Sequence, residues 1–105
     1  MLYHDTLPLH DETIIGLVHD EAKQQLHLYL KNGGHFHFEN VVYFETSGFA
    51  MQNVIFDVYR FTSRDFPDDL NKRFAALSFY RTQNDIHQIY HIDSSCGMEL
   101  LIICE

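Results

Sequence analysis

The stretch Gln25-Leu26-His27-Leu28-Tyr29-Leu30-Lys31-Asn32-Gly33-Gly34-His35-Phe36-His37-Phe38 decides the fold class. Successive side chains of a strand point to opposite faces. Leu26, Leu28 and Leu30 therefore share one face, and His27, Tyr29 and Lys31 share the other. A strict alternation of this kind marks a half-buried strand, because an amphipathic helix repeats at about 3.6 residues instead. Asn32-Gly33-Gly34 interrupts the pattern with residues that accept the positive φ of a hairpin turn. His35 to Phe38 then alternates again, with Phe36 and Phe38 on the core side. Two such runs joined by a short turn form an antiparallel hairpin.

Working outward, Thr13 to Val18 is β-branched and apolar until His19-Asp20-Glu21-Ala22-Lys23 breaks it. Val41 to Phe44 resumes a β-like composition after Glu39-Asn40. The first 45 residues thus read as a three-strand antiparallel meander. Gly48 to Phe61 is apolar on both faces if extended, with Asp57 its only acid and Arg60 its only base. A strand from about Val54 to Phe61, preceded by a short irregular segment, fits that composition.

Asp65-Phe66-Pro67-Asp68-Asp69 has the form of a helix start, with a capping acid, an early Pro and acids in the first turn. Phe66, Leu70, Phe74 and Leu77 follow as one apolar stripe, and Lys72 and Arg73 come later, as the helix dipole prefers. The spacing predicts a helix over 66–77. Beyond it, Ser78 to Gln83, Ile86 to Asp93 and Met98 to Cys104 read as strands, separated by hairpin-like Asn84-Asp85 and Ser94 to Gly97. The expected fold is α+β, a single domain over 1–105. A mainly antiparallel β-sheet of six or seven strands is covered by one or two short helices.

Composition narrows the function. The 105 residues hold 7 Lys and Arg against 15 Asp and Glu, a formal net charge of −8, with 8 His, 9 Phe, 6 Tyr and no Trp. Nucleic-acid binding is not expected, because neutralising phosphates requires clustered bases. A membrane span is not expected either, since the longest wholly apolar run is Leu100 to Cys104. Met1 to His10 has no basic start followed by an apolar run, so no secretory signal is expected in the chain as it stands. Cys96 and Cys104 are too few for a disulfide framework and too separate for a zinc ribbon. They read as free thiols in a reducing cytosol.

Eight histidines call for a test of metal and acid–base chemistry. His35-Phe36-His37 places two imidazoles on one strand face, about 7 Å apart. Cupins grip metal with a His-x-His strand and a later Glu, but Glu39 is too close for that pattern and Glu45 too far. A solvated face, with His35 and His37 opposite His27 and Tyr29, accounts for the pair without a metal. A metal-binding or enzymatic β-domain using His35 and His37 with a distant third ligand is the alternative reading. His87 and His91 share a face as helix or strand, and His4, His10 and His19 lie beside acids as surface partners. A ribonuclease-like histidine pair would need bases near the phosphate, and Lys31, Arg60 and Arg81 are scattered. No nucleophile, base and orienting group assemble in the sequence, so no enzyme and no cofactor are expected.

The acids gather at turns and element ends: Asp11-Glu12, Asp20-Glu21, and the trio Asp65, Asp68 and Asp69, with Asp85 and Asp93 further on. Turn polarity and helix capping explain each locally. Calcium is set aside because no Asp-x-Asp-x-Asp-Gly loop exists. A net charge of −8 has no such local cause, and it sets a field that attracts basic partners such as nucleases.

The segment Val41-Val42-Tyr43-Phe44 through Gly48-Phe49-Ala50-Met51-Gln52-Asn53-Val54-Ile55-Phe56-Asp57-Val58 resembles small bacterial immunity proteins encoded beside polymorphic toxins. With its size and acidity, the chain is similar to immunity proteins of contact-dependent growth inhibition systems. The resemblance implies a cytosolic inhibitor that plugs or covers the active site of a cognate toxin, a ribonuclease in some systems. The chain is expected to be a monomer or weak dimer, an exposed strand edge being able to pair with itself. The toxin-binding acids expected on that view are Asp11, Glu12, Asp20, Glu21, Asp65, Asp68 and Asp69. Gly48 is expected to permit a tight turn, and Gln52 and Asn53 to cap or bridge backbone groups. Inhibition of this kind needs no catalytic residue.

Overall fold

The computed structural model describes residues 3–4 and 11–105, and Tyr3 and His4 by their backbone only. The expected reading of Met1 to His10, with Asp5 and His10, lies outside these residues apart from that short strand. In chain order the elements are β1 (Tyr3–His4), β2 (Ile14–Asp20), β3 (Gln25–Leu30), β4 (His35–Phe38), β5 (Val41–Ser47), β6 (Val54–Thr62), α1 (Asp68–Arg73), α2 (Ala76–Arg81), β7 (Gln88–Cys96) and β8 (Glu99–Cys104). The strands form a five-stranded sheet, β1-β6-β7-β8-β5, and a three-stranded sheet, β2-β3-β4, with every pairing antiparallel. This is the expected α+β class.

Two apolar clusters define three layers. Leu26, Leu28, Leu30 and Phe38 of the small sheet pack against Ile55, Val58, Ile92, Leu100 and Ile102 of the large one. On the opposite face of the large sheet, Phe61, Ile89, Leu101 and Ile103 pack against Phe66, Leu70, Phe74 and Leu77. Alternation along β8 therefore sends Leu100, Ile102 and Cys104 to one layer and Leu101 and Ile103 to the other, and all five are buried. A strand covered on both sides reads as an unbroken apolar run, because neither face can be polar.

The hairpin behaves as its alternation requires. Leu26, Leu28 and Leu30 are buried, while His27 pairs with His37 and Tyr29 with His35 on the outer face. The meander does not continue into Val41 to Phe44. Asn40 takes a left-handed φ of 56° and turns the chain out of the small sheet, so β5 pairs with β8 instead. A bulge between Val41 and Tyr43 then lets β5 serve both cores.

The predicted stripe of Phe66, Leu70, Phe74 and Leu77 is buried as expected, but the helix is broken. Phe74 ends α1 with φ −127° and ψ 85°, and α2 begins at Ala76. The start residue is Pro67, with no side-chain cap, so Asp65 does not cap the helix. Asp68 and Asp69 do occupy its first turn. Ser78 to Gln83 is not a strand. It lies largely in α2, where Leu77 is buried, Tyr80 packs near Tyr43 and Phe79 points to solvent. Aromatic composition favours a strand there, but the helical offset alone lets Leu77 and Tyr80 face the sheet while Phe79 does not. Asn84-Asp85 is accordingly a helix-to-strand connection, held where Arg64 donates to the Gln83 and Asn84 carbonyls at 2.7 and 3.0 Å.

Cys96 and Cys104 are free thiols, one exposed and one buried. Cys104 pairs with Gln88 at one end of β7, whereas Cys96 pairs with Val54 at the other, so the two cannot bridge. Burial pushes the Cys104 thiol up to about 11. Alkylation of the native protein at pH 8 is expected to modify one thiol, at Cys96, with Cys104 reacting only on unfolding; mass spectrometry of the adducts checks this. The helical assignment of Ala76 to Arg81 makes a second prediction. Leu77→Ala is expected to cost about 2–5 kcal/mol in urea unfolding, and Phe79→Ala no more than about 0.5 kcal/mol. A strand would make the two costs similar.

Candidate functional site

The connection from β5 to β6 is short, apolar and tightly held. Gly48 has φ +77°, and a Cβ there would stand 2.9 Å from the Gly97 carbonyl oxygen. Gly97 has φ +82°, and its Cβ would stand 2.2 Å from the Gln52 carbonyl oxygen. Two glycines thus allow the loop to lie directly against the β7–β8 turn. Asn53, buried beneath it, fastens the contact. Its Oδ1 accepts from the Ala50 and Met98 N–H groups at 2.9 and 3.0 Å, and its Nδ2 donates to the Ala50 carbonyl at 2.9 Å and the Ile14 carbonyl at 3.5 Å. One carboxamide therefore joins β2, the loop and the turn that leads into β8.

With both ends of the loop fixed, Phe49 and Met51 are left outside, Phe49 61% exposed and Met51 fully so. Neighbouring large apolar side chains on a constrained loop form a ready contact surface, because little ordering entropy remains to be lost on binding. The expected roles of Gly48 and Asn53 match this geometry. Gln52 is exposed, and its backbone carbonyl is the group that meets Gly97.

The acids occupy three separate places. Asp11 and Glu12 run beside the start of β6, since Asp11 N–H donates to the Ile55 carbonyl and Ile55 N–H donates to the Glu12 carbonyl, both at 2.9 Å. The Glu12 carboxylate also accepts from Asn32 Nδ2 at 2.9 Å, tying it to the β3–β4 turn. Asp20 and Glu21 sit at the far end of β2, where Asp20 accepts from the Lys23 N–H at 3.2 Å. Asp65, Asp68 and Asp69 are exposed on the helical side. Among these described acids, Asp11 and Glu12 come nearest to the exposed loop along the chain path, two or three residues from Ile14, whose N–H donates to the Asn53 carbonyl.

The histidines divide into two sets. On the outer face of the small sheet, His27 stacks on His35 and His37, and Tyr29 on His35, with ring centroids 4.7–5.6 Å apart. His27 Nδ1 lies 2.7 Å from His35 Nε2, a hydrogen bond that requires one of the two nitrogens to be unprotonated. Among the described residues, His35 and His37 belong to no group of three convergent metal donors. His19 stacks edge-on against Phe44, His4 is described only in backbone, and His87 and His91 point into different surroundings.

The second set lies between the large sheet and α1. His91 is 5% exposed, and its Nε2 is 2.7 Å from Glu99 Oε2, which also accepts from Arg73. Asp93 completes a group whose donor atoms lie within 4.8 Å of one another. Across β6, Asp57 is the register partner of Asp93. A cleft of about 200 Å³ opens here between Tyr59, Phe61, Pro67, Leu70 and Arg73. Burial, and then the charges of Asp57 and Asp93, push the Tyr59 hydroxyl up, so both carboxylates act on the space the ring occupies. Sequence reasoning missed this cluster, because Glu99 comes from another strand and Arg73 from a helix. The available signal was two polar residues, His91 and Asp93, alternating with apolar neighbours along β7.

No protein-family model, curated protein or solved structure matches the chain. Among the described residues no helix is long and apolar enough to cross a membrane. The latch geometry carries its own test. Gly97→Ala is expected to cost about 1–3 kcal/mol or more from forced φ and overlap. Asn53→Ala, which orphans buried backbone groups, is expected to cost about 1–3 kcal/mol. Both are measurable by denaturant unfolding, and Gln52→Ala is expected to change little.

Proposed function

We propose that this chain is a cytosolic bacterial immunity protein that binds and neutralises a cognate nuclease toxin, a ribonuclease with a basic active-site cleft. The observation that carries the reading is the pinned Gly48–Asn53 loop, which holds Phe49 and Met51 in solvent. Large apolar side chains kept outside on a fixed backbone suit the anchoring centre of a protein interface. Asp11 and Glu12 flank β6 where it leaves the loop, and on this reading they meet the bases that surround a nuclease active site. The charge of −8 adds long-range attraction, which raises encounter rates with a basic partner. The likeness of the Gly48 to Val58 segment to immunity proteins supports the same class.

On this reading the acids do different work. Asp11 and Glu12 belong to the contact, whereas Asp20, Glu21, Asp65, Asp68 and Asp69 contribute mainly to the field, since they lie away from the loop. The function needs no catalytic group and no cofactor.

The toxin to test is the product of the neighbouring open reading frame. Co-expression is expected to rescue cells from it. The double variant Phe49→Ala, Met51→Ala is expected to weaken binding by about tenfold or more, mainly through faster dissociation. Asp11→Lys with Glu12→Lys is expected to slow association, with an effect that shrinks at high salt. Asp68→Lys with Asp69→Lys is expected to do so less. If no basic toxin domain binds at nanomolar to micromolar concentration, the reading is wrong.

A further inference from the structure

The half-buried cluster on the helical side has a chemistry of its own, although Glu99 pairs with Ser47 at the start of the Gly48–Asn53 loop. His91 on β7, Asp93 two residues on, and Glu99 on β8 bring an imidazole nitrogen and two carboxylates within 4.8 Å of one another. The β7–β8 register ends at Ile92 with Leu100, one step before Asp93 and Glu99, whose carboxylates lie close together, and Asp57 opposes Asp93 from the other side. Three carboxylates thus stand in a row across three neighbouring strands. Like charges directly opposite one another destabilise a sheet. Arg73 from α1 pairs with Glu99.

We propose that His91, Asp93 and Glu99 form a binding site for a divalent transition-metal ion of the zinc class, open on its fourth side to the cleft beneath Tyr59 and Pro67. The donor types support the choice. An imidazole favours zinc and its neighbours over magnesium or calcium, and two carboxylates suit the same ions. Metal–ligand bonds of about 2.0–2.2 Å separate donor atoms by roughly 3–4 Å. The observed cluster reaches that spacing with side-chain adjustments of about an ångström. A carboxylate offers about four lone-pair sites, so Glu99 can keep Arg73 while it binds the ion. The cation would relieve the repulsion within the row.

The test uses the full chain purified without a histidine tag and stripped with a chelator. Titration with Zn²⁺ in a calorimeter is expected to show one site, and Co²⁺ is expected to give visible absorption bands of nitrogen and oxygen ligation. Asp93→Asn, at a half-buried position, is expected to weaken Zn²⁺ binding by about tenfold or more. His91→Gln is expected to do the same, with circular dichroism confirming that each variant is folded. His35→Ala with His37→Ala, on the outer sheet face, is expected to leave the affinity unchanged. Absence of binding would overturn the proposal. Binding that persists in Asp93→Asn and disappears in the His35 and His37 variant would overturn it too. Neither result bears on toxin binding, which is measured with chelator present.

Discussion

Leu100 to Cys104 places five apolar residues in succession on one strand, and all five are buried. A strand of this kind needs cover on both faces, since an exposed row of Leu and Ile would leave a large apolar patch in water. The rest of the chain meets that demand. The β2-β3-β4 sheet covers Leu100 and Ile102, and α1 and α2 cover Leu101 and Ile103. Each cover is amphipathic on its own terms, with a period of two in the small sheet and a helical stripe on the other side. A three-layer arrangement follows from one strand's two-sided burial.

The same tight layering governs the polar groups that remain inside. Asn53 resolves the problem by pairing its carboxamide with backbone groups from three segments. It leaves no ionisable group buried, and its effect is to hold a loop. The cluster at His91 resolves it differently, with a buried imidazole bonded to Glu99 and Glu99 paired to Arg73. Charge placed between a sheet and a helix needs partners from both, and here the partners come from β7, β8 and α1. One device yields a rigid outward presentation of Phe49 and Met51, the other a polar cleft. The two are neighbours along β8, since Met98 N–H donates to Asn53 and Glu99 pairs with Ser47, yet one fixes backbone and the other gathers ionisable groups.

Much of this was legible in the chain itself. The hairpin faces, the buried stripe of Phe66, Leu70, Phe74 and Leu77, and the special roles of Gly48 and Asn53 rest on local rules, and the structure bears each of them out. The misreadings arose where local rules compete. Ser78 to Gln83 carries aromatic residues that fit a strand, yet its neighbours require Leu77 and Tyr80 on one side, and tertiary packing overrode propensity. Val41 to Phe44 has a strand's composition, but composition does not say which sheet receives it. Among candidate site residues, the acids and the histidines were found in groups of sequence neighbours. Their grouping in space was invisible because Asp93 and Glu99, or Asp11 and Ile55, meet only across strands.

The amino-acid sequence by itself determined the α+β class, the hairpin with its buried and exposed faces, the apolar helical stripe and the acidic charge. These depend on residue type and on spacings of a few positions, which alternation, turn chemistry and Coulomb's law read directly. Only the tertiary structure decided that β5 leaves the small sheet, that α2 is helical, that Asn53 pins an apolar loop, and that His91, Asp93, Glu99 and Arg73 converge. Each of those depends on which distant segments come to lie side by side, and that choice is made by burying both faces of β8 at once.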